Sequence, residues 1–176
     1  MAALWDRRCG RTCAFKHVMA VAACTSAIAS CASPSYQTAA MQASEGGDQK
    51  TAIAFARKEV ARFSTPEQCS RTTSLNCGTL ALAYGTLAEY QILAGDETAG
   101  ERSFGSAKAA LNWMERGSRP GATAMVYRDV SEAFWKVGDR ARAIAVFNEG
   151  RAAGADDWLF MSSAARAAAQ SPTDSR

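Results

Sequence analysis

The string "FWKVGDRARAIAVFNEG", residues 134–150, sets a Gly-Asp pair between an aromatic stretch and an alanine-rich one, with Ala143-Ile144 opening four residues after the Asp. Two earlier stretches are built alike: "SEGGDQKTAIAFARK", residues 44–58, and "ILAGDETAGERSFGSAK", residues 92–108. The aligned glycines are Gly47, Gly95 and Gly138, and a tyrosine precedes each by eleven residues: Tyr36, Tyr84 and Tyr127. Three and four residues after each tyrosine come Ala39-Ala40, Leu87-Ala88 and Val130-Ser131, an apolar residue beside a small one at helical spacing. Beyond the Gly-Asp, a second helical pattern places Ala143, Ile144 and Phe147 on one face, matched by Ala52, Ile53 and Ala56 in the first copy and by Gly100, Phe104 and Ala107 in the middle one. Glycine takes the left-handed conformation that ends a helix, and the following aspartate accepts backbone N–H groups at the start of the next. Each string therefore predicts the tight turn of a helical hairpin. The expected fold class is all-α, with no convincing strand anywhere.

Repeated at this period, the pattern resembles the tetratricopeptide repeat. The last copy, about 124–157, carries the likeness best, through Tyr127, Val130, Ser131, Phe134, Gly138, Asp139, Ala143, Phe147 and Gly150. The middle copy, about 81–114, has Gln91 where an aromatic is usual. The first, about 33–66, has Glu59 at a normally small position, and none has the closing proline. The resemblance implies a short solenoid of about three hairpins; a generic helical bundle is the alternative. Residues 158–170, "WLFMSSAARAAAQ", read as a capping helix, with Trp158, Leu159 and Met161 covering the end of the stack, and residues 171–176 as a polar tail. Asp156-Asp157 reads as the start of that helix. The connections "STPEQCSRTTSLNC" and "RGSRPGAT" read as loops.

Residues 1–30 read as an export leader. Arg7, Arg8, Arg11 and Lys16 against Asp6 account for the whole formal charge of +3, so the remaining chain is neutral and has no electrostatic footprint for nucleic acid. The apolar stretch "VMAVAACTSAIAS" has the length of a signal-peptide core. It ends in "IASC", residues 28–31, which resembles the bacterial lipobox. The resemblance implies lipidation at Cys31, a membrane anchor through that lipid, and, because Ala32 rather than Asp follows, an outer-membrane protein facing the periplasm. Ordinary cleavage after the "AIA" of residues 27–29 is the alternative. Residues 31–170 then form the repeat domain.

With the leader set aside, only Cys69 and Cys77 remain besides Cys31. In an oxidising compartment so close a pair suggests a disulfide, worth about 2–3 kcal/mol on the chain-entropy model; two free thiols are the alternative. The only histidine, His17, lies in the leader. Ser-His-Asp and Cys-His sites and histidine-ligated metals are therefore excluded from the body, and no catalytic residue, metal or cofactor is expected. Glu89 and Glu132, equivalent on successive first helices, are the one carboxylate pair conceivable for glycoside hydrolysis; a solvated helix face is the ordinary reading of both.

Repeats of this family bind other proteins. By that resemblance a concave groove would be lined by Thr86, Glu89, Ile92 and Leu93 of the middle copy and by Arg128, Glu132, Trp135 and Lys136 of the last. Trp135 with Arg128 or Lys136 could offer an aromatic anchor and a cation, or Trp135 could simply pack on a neighbouring helix. The expectation is a membrane-anchored scaffold taking a protein or peptide partner in the envelope. The alternatives are an accessory cell-wall enzyme using carboxylates and a purely structural envelope lipoprotein.

Overall fold

A computed structural model describes residues 35–63, Cys69 and residues 74–170, within a unit that begins at Pro34. The leader, Cys31 and the polar tail lie outside the described residues. Among these, every element is helical: seven α-helices, one 3-10 turn and no strand. In chain order they are α1 (Tyr36–Glu45), α2 (Gln49–Arg62), α3 (Ser74–Leu93), α4 (Glu97–Asn112), α5 (Arg119–Val137), α6 (Arg140–Ala152), the 3-10 turn (Asp157–Met161) and α7 (Ser163–Gln170).

The Gly-Asp pairs do what their chemistry predicts. Gly47, Gly95 and Gly138 have φ of 81°, 82° and 94°, the left-handed region that a Cβ disfavours. The aspartate that follows caps the next helix each time: Asp48 accepts from the Thr51 N–H at 3.0 Å, Asp96 from Ala99 at 3.0 Å and Asp139 from Arg142 at 2.9 Å. In the first two turns the Asp N–H also reaches back to the carbonyl five residues earlier, Ala43 or Gln91, satisfying an orphan acceptor of the ending helix. Three antiparallel hairpins result: α1–α2, α3–α4 and α5–α6.

Small residues set how closely the two helices of a hairpin approach. Ala40, Ala88 and Ser131 are fully buried on the first helices, opposite Ala52, Gly100 and Ala143 on the second. Ser131 remains satisfied there because its hydroxyl donates to the Ala143 carbonyl at 2.9 Å. A Cβ on Gly100 would come within 2.5 Å of Ile92 Cγ1, and one on Gly150 within 2.8 Å of Tyr127 Cβ. Both glycines are therefore required by the packing.

Successive hairpins stack through α3, which packs on α2 and α5 as well as on its own partner α4. Phe104 of α4 meets Tyr127 of α5 edge-to-face at 5.0 Å. On the outer side, Lys108 pairs with Glu149 at 2.9 Å and Glu101 pairs with Arg142. Each pair spans 41 residues, so α4 and α6 run parallel in a fixed register, as second helices of neighbouring repeats must. One core cluster runs from Leu80 through Phe104, Tyr127, Phe134 and Phe147 to Ala165. A smaller one joins Ala40, Ala52 and Ala56 to Leu87 and Tyr90 of α3.

Several sequence expectations need correction. The stretch read as a loop before the third hairpin is helical from Arg119: Pro120 sits in the first turn of α5, where its missing N–H costs nothing, and only the preceding residues form the turn. The end of the first connection is likewise helical, since α3 starts at Ser74. The capping segment is not one helix. It is a 3-10 turn, opened by Asp156 accepting from the Trp158 N–H, then a break at Ser162, then α7. Of the three residues expected to cover the stack, only Leu159 is buried; Trp158 and Met161 are 56% and 62% exposed, and Ala164 and Ala165 close the core instead. Gln91, standing where an aromatic was expected, is buried and accepts from the Ser103 hydroxyl of α4 at 2.6 Å. Cys69 and Cys77 are joined by a disulfide that fastens the segment ahead of α3 onto its first turns.

Candidate functional site

The one place where charge is drawn into the protein lies between the first helices of the second and third hairpins. Arg128, Asp129, Glu132 and Lys136 fall at spacings of one, four and eight from Arg128, which puts them along one stripe of α5. Glu89 of α3 faces that stripe. Its side chain is only 19% exposed, and the Lys136 Nζ lies 3.7 Å from its Oε1. Burial pushes the Glu89 carboxyl from its ordinary 4.5 up to about 7; Asp129 adds to the rise, while Lys136 and Arg128 oppose it. Asp129 is raised too, again chiefly by burial, although Arg128 grips one of its oxygens through Nε at 3.0 Å and Nη2 at 2.8 Å. Beside them the Tyr90 hydroxyl is pushed up to about 12 by burial and by Glu89, Asp129 and Glu45.

This cluster forms one edge of a cleft of about 350 Å³, lined by Met41, Ser44 and Glu45 of α1, Gln49 of α2, Glu89, Tyr90 and Leu93 of α3, and Lys136 of α5. Its walls mix an apolar rim, Met41 and Leu93, with charged and amide groups, the composition of a surface that holds a peptide rather than a buried cofactor. A second, more apolar groove of about 270 Å³ runs between α3 and α5 past Leu82, Met114, Ala122 and Met125.

The residues expected to line a groove divide between these places. Glu89, Leu93 and Lys136 meet at the cleft, and Thr86 lines a smaller hollow with Gln37, Ala40 and Glu59. Ile92 does not line a groove: it is fully buried, pressed against the Gly100 face of α4, because its position on α3 points into the hairpin. Arg128 is turned onto its neighbour Asp129. Glu132 accepts the backbone N–H of Ser163 at the start of α7, so it supports the cap rather than pairing with Glu89. Trp135 is half-buried against the main core, and the cation over its ring is neither Arg128 nor Lys136 but Arg140, at 3.7 Å from the centroid.

Sequence reasoning missed Asp129 as the partner of Glu89, and it missed the contribution of the first hairpin. Asp129 could have been found from the period alone: it lies three residues before Glu132 and seven before Lys136, on the same stripe. Met41, Ser44 and Glu45 occupy the equivalent stripe of α1 but sit in the most degenerate copy. Compared with protein-family models, with curated proteins and with solved structures, the chain matches none.

Proposed function

We propose that this protein is a tetratricopeptide-like scaffold, lipid-anchored through Cys31 at the bacterial outer membrane and facing the periplasm, whose inner cleft holds a segment of a protein partner and so assists assembly of an envelope complex. The observation that carries the reading is the cleft itself. Three hairpins with one turn geometry bring first-helix side chains from each, Met41, Glu89 and Lys136 among them, around a single opening. Stacked hairpins of this kind leave a continuous face with a polar and apolar mixture, suited to binding and without a constellation for bond breaking. Within the described residues no helix is long and apolar enough to cross a membrane, so on this reading attachment falls to the lipid.

Two experiments test it. In-cell crosslinking of tagged protein, wild type beside Met41→Glu/Lys136→Glu, should capture a partner that the variant loses. Both side chains are about half exposed, so the variant keeps its fold. A partner retained in full by the variant would remove the cleft from the reading. Cys31→Ser should shift the protein from the membrane fraction to the soluble periplasm, and unchanged fractionation would remove the anchor.

A further inference from the structure

We propose that the seam between the second and third hairpins is a proton-operated joint: it tightens when Glu89 of α3 takes up a proton and loosens when that carboxylate stands charged against Asp129 of α5. The inference goes beyond the binding role and does not depend on it.

The geometry is a shortage of cations at a packed interface. Glu89 and Asp129 sit on helices that pack directly together, with side chains 19% and 28% exposed. Of the two cations at the seam, Arg128 spends both of its contacts on Asp129. Lys136 is left for Glu89, at 3.7 Å and with its own side chain 56% exposed, a loose pair in solvent. The other groups facing the seam do not help. Glu132 of α5 adds negative charge beside Asp129 while its carboxylate serves Ser163, and Glu45 of α1 adds more at Tyr90. Tyr90 itself stays a neutral hydroxyl over the whole physiological range. A charged Glu89 is therefore poorly solvated and poorly paired, whereas a protonated one removes a like-charge contact and releases Lys136.

The direction of the effect follows from linkage. Glu89 holds its proton up to about pH 7 in the folded chain, against an ordinary 4.5. Between those two values the folded state binds more proton than the unfolded one, so stability falls as pH rises through the window and levels off above it. Asp129, also raised, acts in the same direction. The window is otherwise quiet, because the only histidine is His17, far outside the described residues in the sequence.

The experiment is urea unfolding of the full chain from pH 5 to 8.5 for wild type, Glu89→Gln and Lys136→Met, with carbon NMR of the side-chain carboxyls. Subtracting Glu89→Gln from wild type cancels His17 and the chain terminus, which the two share. The wild-type folding constant should fall roughly 10- to 100-fold between pH 5 and 8. Glu89→Gln, the same shape without the charge, should abolish most of that fall. Lys136→Met, exposed and harmless to the fold, should move the Glu89 midpoint higher because it removes the opposing cation. A Glu89 carboxyl titrating at an ordinary value, or a Glu89→Gln profile as steep as wild type, would overturn the joint.

Discussion

The first and third hairpins share a turn and differ in nearly everything packed around it. Both turn on a left-handed glycine and an aspartate cap. The third then buries Tyr127, Val130, Phe134, Val146 and Phe147 in the main core. The first buries only Ala40, Ala52 and Ala56 of its own, and borrows Leu87 and Tyr90 from α3. Tyr36, the counterpart of Tyr127, is 38% exposed and stacks on half-buried Phe55. At the position where the third hairpin has Gly150 against Tyr127, the first has Glu59, ion-paired with Arg62 on its own helix. The turn residues thus specify that a hairpin forms, while the large apolar residues decide how firmly it is held.

That contrast can be broken most severely by truncating a large side chain. Phe147→Ala should cost about 3–5 kcal/mol in urea unfolding, whereas Phe55→Ala should cost about 1 kcal/mol or less. Equal losses would mean that the first hairpin carries as much of the core as the third. Next in size is the staple between the first and second hairpins. Reducing Cys69–Cys77 should cost about 2–3 kcal/mol and should speed amide exchange in α2 and the start of α3 before it touches α6. Uniform loss of protection would argue against such a graded structure. Gly150→Ala comes third. The added methyl collides with the rigid root of Tyr127, offsetting a helix-propensity gain of about 1 kcal/mol and leaving a net loss of about 1–2 kcal/mol. Smallest, and of opposite sign, is Gly105→Ala on α4. Nothing lies within 4 Å of its missing Cβ, so calorimetry should show a gain of about 0.5–1 kcal/mol.

Much of this was legible in the chain because it is local. A glycine followed by aspartate, and small residues at fixed distances from both, encode the turns and close approaches without reference to distant parts. The helix starts at Ser74 and Arg119 were hidden for the opposite reason: polar and proline-containing first turns look like loops until the rest of the helix supports them. The site was half legible. Glu89, Leu93 and Lys136 lie where the repeat places groove residues, but Ile92 went inward because one step along a helix rotates a side chain by about 100°. No sequence period could announce that Glu132 would be claimed by Ser163, or Trp135 by Arg140. Those pairings depend on where α6 and α7 return in space.

The turn at Gly154 has a consequence of its own. It repeats the left-handed conformation of the other three, with φ of 78°, and Ala155 bonds back to Gly150 as the residues after Gly47 and Gly95 do to theirs. The chain thus starts another lap and abandons it, leaving Trp158, Phe160 and Met161 half bare on a single 3-10 coil. Its length is set by a stop added after the motif, not by a change within it. Inserting a duplicate of residues 119–154 at that point would extend the ladder by one rung, with the old ending carried outward intact.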